Sequence, residues 1–325
     1  MKKIIMATFG LAALATLMPS SSAQKNYRIT LIPGLTTDGF YITMRKGAEQ
    51  AAKKLGVTLD FQGAPDFNPV TQIPVLDAVI ARKPDAILIA PTDKTQLVAP
   101  LKKAFDAGIK VITVDTFIGE TGVYQTGSGK ADFPLSYVGS DNVQGGRAAA
   151  KALAEAIGKV GKVYISNVKP GISTTDQREQ GFKEEMKKYP KITVLETQFN
   201  DNDANKAASQ LAAVLARNAD LRGVFGANVF SAQGAANGVK NTNKRGKIRV
   251  VAFDAPESVV NDIKAGVIDI AIAQKPAEMG SVGVEYAVKA LSGEKIPTRY
   301  GTGYQVMNKK NIDDPAVRKF VYSSK

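Results

Sequence analysis

The stretches GIKVITVD (residues 108–115) and GKIRVVAFD (residues 246–254) decide the fold of this chain. Each is a short, nearly continuous apolar run that ends in a carboxylate, Asp115 in the first stretch and Asp254 in the second. Such runs are typical of strands that are buried on both faces of a parallel sheet. Because the same strand ending returns in the second half, the sequence predicts two similarly wound α/β lobes in tandem.

Short apolar runs alternate with helical patterns along the rest of the chain, which indicates βαβ units and parallel sheets. Helices in the first half are predicted at residues 40–55, 70–82, 97–107 and 141–158. Strands are predicted at residues 27–32, 57–62, 86–90, 110–115, 135–140, 162–166, 193–199, 223–227, 248–254 and 269–274. Residues 116–134 are rich in Gly, Ser and Thr and are predicted to form a loop, whose role the sequence leaves open.

The N-terminus has the pattern of a secretory signal peptide. A basic MKK precedes the apolar run IIMATFGLAALATLM, and the small residues SSA precede a predicted cleavage after Ala23. Removal of residues 1–23 would leave a periplasmic or secreted protein. A retained anchor is the alternative, although the apolar run is short for a membrane span. Because the chain has no cysteine, a lipid anchor on an N-terminal cysteine is excluded.

The chain contains neither cysteine nor histidine. Disulfides, thiolate chemistry and a Ser-His-Asp triad are therefore excluded, and the commonest ligand of transition metals is absent from the sequence. A serine–lysine or carboxylate-pair enzyme stays open on these grounds. We predict no catalytic residue, no metal and no cofactor.

The net charge is +13, or +11 once the charges of Lys2 and Lys3 are subtracted with the signal peptide. A basic balance can indicate nucleic acid or another acidic partner. The lysines, however, are scattered through helical stretches such as RKGAEQAAKKLG (residues 45–56), which is typical of a solvated helix face. We therefore expect no nucleic-acid partner.

Polar side chains recur directly after the predicted strands. They are Thr92, Asp93, Asp115, Ser140, Asn228, Asp254 and Gln274. Ligands of open parallel sheets bind beyond the carboxyl ends of the strands, so two lobes facing each other would form one polar cleft. Each of these residues could instead cap the helix that follows it.

Eight pieces of the sequence follow one another within residues 27–307: LTTDGFYITMRKGAEQAAKKLG, APTD, GIKVITVD, VGSDNVQGGRAAA, REQGF, GVFGANVFSAQGAANG, VVAFD and IAIAQKPAEMG. No single piece is specific, whereas the ordered set is. In these pieces and in their order, the chain resembles the ribose-binding-protein-like periplasmic binding proteins, the exported sugar receptors of ABC importers.

The resemblance implies two Rossmann-like lobes joined by a hinge of three crossing strands. The crossings would fall near residues 140–141, 274–275 and 303–304. The implied N-terminal lobe comprises residues 24–140 and 275–303, and the implied C-terminal lobe comprises residues 141–274 and 304–325.

The resemblance also implies residue roles. Phe40 and Tyr41 would sandwich the sugar ring, and Asp38 would hold sugar hydroxyls. The implied polar contacts are Asp115, Arg178, Asn228, Asp254 and Gln274, and the weaker ones are Ala90, Ser140, Thr174 and Asn202. Ordinary core packing is the alternative for the two aromatic residues. The family often has an arginine where this chain has Thr116, which leaves the identity of the sugar open.

The stretch GISTTDQREQGF (residues 171–182) combines two predicted roles. Thr174, Thr175 and Asp176 lie where a helix is predicted to begin and are interpreted as capping residues. Arg178 lies one turn further on, where the resemblance places a ligand contact.

We therefore expect a monomeric solute-binding protein that takes a neutral monosaccharide or polyol to an ABC permease, with no enzymatic activity. A receptor for a deoxysugar or an autoinducer-2-like signal molecule is the alternative. An exported glycosidase using Asp115 and Asp254 is a further one, since such enzymes place two carboxyl groups across a sugar. A lac-repressor-type regulator would need an N-terminal helix-turn-helix, and a signal peptide is predicted there instead.

Overall fold

The computed structural model describes residues 26–122, 124–125 and 131–322, so the predicted signal peptide lies outside the described residues. The strands are β1 (Arg28–Ile32), β2 (Thr58–Phe61), β3 (Ala86–Ile89), β4 (Lys110–Val114), β5 (Tyr124–Gln125), β6 (Ala131–Phe133), β7 (Ser136–Ser140), β8 (Gly161–Asn167), β9 (Ile192–Val194), β10 (Gln198–Phe199), β11 (Leu221–Gly226), β12 (Arg249–Phe253), β13 (Ile270–Ala273), β14 (Arg299–Thr302) and β15 (Gln305–Asn308). The helices are α1 (Gly39–Leu55), α2 (Pro69–Ala81), α3 (Val98–Asp106), α4 (Asn142–Ala156), α5 (Ser173–Met186), α6 (Ala204–Arg217), α7 (Val229–Asn241), α8 (Glu257–Lys264), α9 (Pro276–Leu291) and α10 (Pro315–Arg318).

The first sheet runs in the order β14-β7-β4-β3-β1-β2, and these neighbours pair in parallel. Helices α1 and α9 cover one face and α2 and α3 cover the other. The central strands β1, β3 and β4 are therefore buried along nearly their whole length. This two-sided burial explains why they read as continuous apolar runs in the sequence. We call this sheet with α1, α2, α3 and α9 the first lobe.

The second sheet runs in the order β10-β8-β11-β12-β13-β15 and is parallel except for the antiparallel pair β13 and β15. Helices α4 and α5 pack on one face, and α6, α7 and α8 pack on the other. We call this sheet with helices α4 to α8 and α10 the second lobe. The apolar stretches of residues 108–115 and 246–254 contain β4 in the first lobe and β12 in the second.

The chain passes between the two sheets at three places. It leaves the first sheet after β7, as the packing of α4 on β11, β12 and β13 of the second sheet shows. It returns after β13, as the packing of α9 on β3, β4 and β7 of the first sheet shows. It leaves the first sheet again between β14, which pairs with β7, and β15, which pairs with β13. These passages support the three expected crossings, while the residue limits of the lobes stay a prediction.

Two local predictions were wrong. The predicted strand of residues 193–199 is interrupted: β9 and β10 both pair with β8, at opposite ends of it, and residues 195–197 belong to neither strand. The predicted loop of residues 116–134 contains the short antiparallel pair β5 and β6. Both errors concern short, partly polar segments in which an alternating pattern is too brief to be recognised.

Among residues 26–322, apart from the undescribed gaps, no helix is long and apolar enough to cross a membrane.

Candidate functional site

A cavity lies between the two lobes, at the carboxyl ends of the strands of both sheets. It contains about 440 Å³ of space between protein atoms, counting the part that opens to solvent. Every side chain predicted as a main ligand contact lines it: Asp38, Phe40, Tyr41, Asp115, Arg178, Asn228, Asp254 and Gln274. Thr174 and Asn202, two of the weaker predictions, line it as well.

The structure does not bring Ala90 and Ser140, the other two weaker predictions, to the cavity. Ala90 is buried after β3, where its carbonyl oxygen accepts a hydrogen bond from Gln72 Nε2 at 2.8 Å. The hydroxyl of Ser140 faces that of Thr302 at 3.2 Å, between the adjacent strands β7 and β14. The Ala90 carbonyl and the Ser140 hydroxyl are therefore each paired within the first lobe.

Asp115 and Asp254 occupy equivalent places in the two lobes, directly after β4 and β12. Their φ angles are +62° and +78°, a left-handed conformation that non-glycine residues adopt infrequently. The backbone turns at these two residues at the end of each strand, and their carboxylates therefore line the cavity. Such strain persists where the surrounding structure enforces it, and it is concentrated at functional sites.

The first lobe presents aromatic rings and carboxylates to the cavity. Asp38 caps α1, since its Oδ1 accepts a hydrogen bond from the Phe40 backbone N–H at 2.9 Å. The Tyr41 hydroxyl donates to Asp115 Oδ2 at 2.8 Å. Phe40 lies edge-on to Tyr41, with ring centroids 5.1 Å apart. Asp38 thus caps the helix and also lines the cavity, a double role that the sequence did not predict for it.

Arg178 is the cation of the second lobe, and its side chain is only 3% exposed. Its Nε donates to Asn142 Oδ1 at 2.8 Å, and one terminal nitrogen donates to the Ala227 carbonyl oxygen at 2.9 Å. The guanidinium stacks on the Phe253 ring, 3.8 Å from the centroid. The plane of the guanidinium is therefore fixed before a ligand arrives, which reduces the entropy lost on binding.

Close contact between α4 and α5 holds Arg178 beside Asn142. A Cβ on Gly146 would overlap the backbone carbonyl oxygen of Arg178, and one on Gly181 would overlap that of Val143. Glycine is therefore required at both positions for the two helices to approach this closely. This packing gives a structural reason for the glycines in VQGGRAAA and REQGF.

Asn228 follows β11 and caps α7, where its Oδ1 accepts from the Ser231 backbone N–H at 3.0 Å. Its Nδ2 donates to Asn202 Oδ1 at 2.6 Å. The two amides thus form a connected pair along the edge of the cavity, with the amide group of Asn202 still able to donate.

Asp254 and Gln274 are joined directly. Gln274 Nε2 donates to Asp254 Oδ1 at 2.8 Å, and the Tyr322 hydroxyl donates to the same oxygen at 2.9 Å. Asp254 Oδ2 lies 3.9 Å from a terminal nitrogen of Arg178, too far for a hydrogen bond. One oxygen of the carboxylate is therefore held by the protein, and the other has no donor within hydrogen-bond distance in the part of the chain that the structure describes.

Three polar atoms of the cavity wall have no hydrogen-bond partner within the described protein: Thr116 Oγ1, Thr175 Oγ1 and Gln274 Oε1. Buried polar atoms are nearly always paired, so these atoms, which come from both lobes, are candidates for hydrogen bonds to a bound polar molecule. Two of them could have been found from the sequence, because Thr116 follows Asp115 and Thr175 follows Thr174.

The prediction of helix caps at the start of α5 was wrong for the threonines. The helix begins at Ser173, and Ile172 at the cap position makes no side-chain capping bond. Thr174 and Thr175 lie inside the first turn and face the cavity. Asp176 does satisfy a backbone group at this end, since its carboxylate accepts from the Gly171 N–H at 3.2 Å.

The remaining lining residues, which the sequence did not predict, are Leu35, Phe67, Val168 and Ile172. All are apolar and lie on loops or at the cap of a helix. Phe67 lies between β2 and α2, on a segment without a periodic pattern. Nothing in the local sequence distinguishes it from a core residue.

Burial raises the pKa of two carboxyl groups in the cavity. The pKa of Asp38 rises to about 6, mainly through burial, and the Asp254 charge raises it further against the lowering effect of the Phe40 N–H. The pKa of Asp115 rises to about 7, again mainly through burial, although Arg178 and the Tyr41 hydroxyl lower it. One arginine thus faces three carboxyl groups, and the cavity is rich in hydrogen-bond acceptors.

The described residues contain no group of three or more His, Cys, Asp or Glu side chains that could hold a metal ion.

A family model described as a periplasmic binding protein domain matches residues 29–295, and thus covers parts of both lobes. The ribose import binding protein of Haemophilus influenzae is 31% identical over 311 residues, which is 95% of this chain and 100% of the relative. The D-allose-binding periplasmic protein of Escherichia coli is 30% identical and covers 87% of this chain and 91% of its own length.

Solved structures agree with these relatives. An ABC transporter solute-binding protein from Agrobacterium vitis, bound with α-D-tagatopyranose, is 71% identical with a TM-score of 0.89, over 91% of this chain and 99% of that chain. A carbohydrate transporter solute-binding protein from Agrobacterium radiobacter, in complex with D-arabinose, is 29% identical with a TM-score of 0.84, again over 91% and 99%.

These matches confirm the predicted α/β fold of two parallel-sheet lobes. They also confirm the predicted class of function, a solute-binding component of ABC sugar import, and the family implies a periplasmic location. The chain belongs to the periplasmic binding protein domain family, among the ribose-binding-protein-like sugar-binding proteins.

Proposed function

We propose that this protein binds a neutral ketohexose in its pyranose form, with D-tagatose as the first candidate, and delivers it to an ABC permease. The observation that carries the proposal is the excess of acceptors in the cavity. Asp38, Asp115 and Asp254 supply carboxylate oxygens, and Gln274 adds an unpaired carbonyl oxygen. The 71% identity to the Agrobacterium vitis protein bound with α-D-tagatopyranose supports the choice of sugar.

A sugar with a full set of hydroxyls fits this distribution of groups. Each hydroxyl donates one hydrogen bond and accepts up to two, so several hydroxyls can satisfy the acceptors on both lobes. Arg178 supplies donors for ring or hydroxyl oxygens, and bonds to charged groups are the stronger kind. An anionic sugar would bring a further negative charge to three carboxyl groups and is therefore disfavoured.

The aromatic rings of the first lobe complete the site. Phe40 and Phe67 line the cavity together with the polar groups. An aromatic face covers the C–H groups of a pyranose while the hydroxyls reach the polar wall. The site thereby separates the apolar and polar faces of one sugar ring.

Contacts outside the cavity hold the two lobes together. The Lys94 backbone N–H donates to the Gly171 carbonyl oxygen at 2.9 Å, and the Phe117 N–H donates to Ser173 Oγ at 2.9 Å. The Lys94 ammonium lies 3.4 Å from the Asp176 carboxylate of the second lobe. We call these contacts the interlobe bridge. A ligand that touches both lobes favours the closed state in which the bridge forms, so binding needs no chemical reaction.

The remaining parts of the proposal concern partners, activity and export. The protein would act as a monomer without turnover of the sugar and without nucleic acid. Residues 1–23 would direct export and then be removed. Of the alternative ligands, a deoxysugar lacks one hydroxyl donor and would leave a buried acceptor unpaired, which is costly. An autoinducer-2-like molecule is the other alternative.

A thermal-shift and calorimetric screen tests the proposal. Because only the folded state binds, a true ligand raises the melting temperature in a concentration-dependent way. We expect D-tagatose to give the largest shift and one-to-one binding, ahead of D-fructose, D-ribose, D-allose and sorbitol, with L-fucose weaker. Chromatography of the recovered sugar should show no conversion. No shift with any of these compounds would overturn the sugar assignment, and a larger shift with L-fucose would favour the deoxysugar alternative.

A further inference from the structure

The segment that follows α10 brings Tyr322, close to the C-terminus, back into the middle of the molecule. Tyr322 is 1% exposed. Its backbone N–H donates to the Ala255 carbonyl oxygen at 3.0 Å, and it forms a parallel bridge with Pro256. The end of the described chain is therefore attached next to Asp254, although Tyr322 itself does not line the cavity.

The Tyr322 hydroxyl makes two hydrogen bonds at the ligand site. It accepts from the Gln274 backbone N–H at 2.7 Å, at the second passage of the chain between the lobes. It donates to Asp254 Oδ1 at 2.9 Å. Because the Gln274 backbone N–H can only donate, the phenol oxygen accepts from it, and the hydrogen of the Tyr322 hydroxyl is left to donate to Asp254.

The Tyr322 ring contacts the first lobe at the same time. Its centroid lies 5.6 Å from that of Phe40, with the ring planes at 75°. An edge-to-face arrangement of this kind is favourable for aromatic pairs. Tyr322 therefore links three groups of the site: the aromatic wall, the carboxylate of the second lobe and a strand passage of the hinge.

We propose that Tyr322 is a positioning residue of the sugar site, which keeps the Asp254 carboxylate available to the ligand. The inference rests on the proposed function, since it assumes that Asp254 receives a sugar hydroxyl. With Oδ1 held by Tyr322 and Gln274, Oδ2 stays 3.9 Å from Arg178 and is free to accept from a ligand.

Loss of the Tyr322 hydroxyl would weaken the hold on Asp254 Oδ1 and leave the attraction of the carboxylate to Arg178 less opposed. The carboxylate would keep one of its two donors on Oδ1, and the nearby Arg178 would attract it into a direct ion pair. Such a pair between desolvated groups is strong and would use the donors and acceptors that the sugar needs. The Gln274 N–H would also lose its acceptor, which loosens the strand passage.

A double-mutant cycle tests this role. Wild type, Tyr322→Phe, Asp254→Asn and the double variant are titrated with D-tagatose by calorimetry. Tyr164→Phe is the matched control, because Tyr164 is fully buried in the second lobe and its hydroxyl has no partner among the described residues. We expect Tyr322→Phe to weaken binding about tenfold and Tyr164→Phe to leave it unchanged.

The cycle separates positioning from general stability. If Tyr322 acts through Asp254, the double variant binds no more weakly than Asp254→Asn alone, whereas independent effects would multiply. Unchanged affinity in Tyr322→Phe, or fully multiplicative losses, would overturn the proposal. If Tyr322→Phe melts too low for titration at room temperature, the four proteins are titrated at about 10 °C, near the usual maximum of stability.

The proposed function is tested separately by the wild-type titration. If the wild-type protein does not bind D-tagatose, the ligand assignment has failed, and the same cycle is run with the sugar that gives the largest thermal shift. The coupling between positions 322 and 254 then decides the role of Tyr322 on its own.

Discussion

The two sides of the cavity are built differently. On the second-lobe side, Arg178 has two hydrogen bonds and a stacked ring, and Asp254 has two donors on one oxygen. On the first-lobe side, the Tyr41 hydroxyl is the one side-chain donor that Asp115 has among the described residues. The second-lobe side is therefore pre-organised by protein contacts, whereas the first-lobe side is short of donors.

This difference assigns different roles to the two sides. A pre-organised wall loses little entropy on binding and fixes the orientation of the ligand. The donor-poor wall depends on hydroxyls of the ligand to satisfy its carboxylates. Substitutions on the second-lobe side should therefore damage both the fold and binding, while those on the first-lobe side should mainly affect binding.

The largest effect is expected for Arg178→Gln. The substitution removes hydrogen bonds from a charged donor and the stacking on Phe253, so affinity for D-tagatose should fall by more than about 100-fold. The melting temperature of the ligand-free protein should fall as well. Arg147→Gln is the control, because Arg147 forms a partly exposed ion pair with Glu184 and does not line the cavity. Retention of near wild-type affinity in Arg178→Gln would contradict the assigned role.

The comparison of Asp254→Asn with Asp115→Asn tests the two sides directly. Each should weaken binding by about 30-fold, through loss of a charge-assisted bond. Thermal unfolding without ligand at pH 8 should separate them. Asp254→Asn should lower the melting temperature, because it disturbs the bonds to Gln274 and Tyr322.

Asp115→Asn should instead keep or raise the melting temperature at pH 8, because it removes a buried carboxyl group whose pKa is raised to about 7. Equal destabilisation by both substitutions would show that the two sides do not differ in the way described.

Binding should depend on pH through the first-lobe side. Asp38 and Asp115 have raised pKa values of about 6 and 7, so their contribution to stability without ligand is present below about pH 4 and is lost as the pH rises through those values. Sugar hydroxyls donate to the ionised forms and lower both pKa values, so binding releases protons. Affinity should therefore increase about tenfold from pH 5.5 to pH 8.

Calorimetry in buffers of different ionisation enthalpy measures this proton release. The Asp38→Asn and Asp115→Asn double variant should show a flat profile between the same pH limits. Proton uptake on binding by the wild-type protein would contradict the predicted sign.

The smallest effect is expected at the interlobe bridge. Asp176→Asn removes a partly exposed ion pair with Lys94 and should weaken binding by about threefold, without contact to the ligand. The loss should shrink at high salt because the pair is screened. Lys102→Gln, which affects an ion pair within α3, is the matched control. An effect of Asp176→Asn as large as that of Asp254→Asn would indicate a direct role in the site.

The parallel sheets and the main cavity residues could be predicted from the sequence because both depend on local signals. Buried strands such as β4 and β12 read as apolar runs, and the carboxylates that follow them lie at the edge where ligands bind. The resemblance to a family then assigned Arg178 and Gln274. These signals can be recognised in the sequence because each strand and the residue that follows it are adjacent in the chain.

The residues that the sequence did not predict reach the site through the tertiary course of the chain. Phe67 reaches the cavity from a loop, and Tyr322 reaches Asp254 only because the end of the chain returns to β12. No local pattern in the sequence indicates that the end of the chain returns to β12. Ala90 was predicted as a contact through the resemblance alone, and its carbonyl oxygen accepts a hydrogen bond from Gln72 within the first lobe.

A crystal structure of the protein with D-tagatose would test the proposed sugar site most directly. We expect one pyranose between the lobes, with hydroxyls within hydrogen-bond distance of Asp115 and Asp254 and an oxygen facing Arg178. The Phe40 ring should lie against the C–H face of the sugar. A sugar bound outside this cavity, or a cavity that stays empty at saturating D-tagatose, would show that the proposed site is wrong.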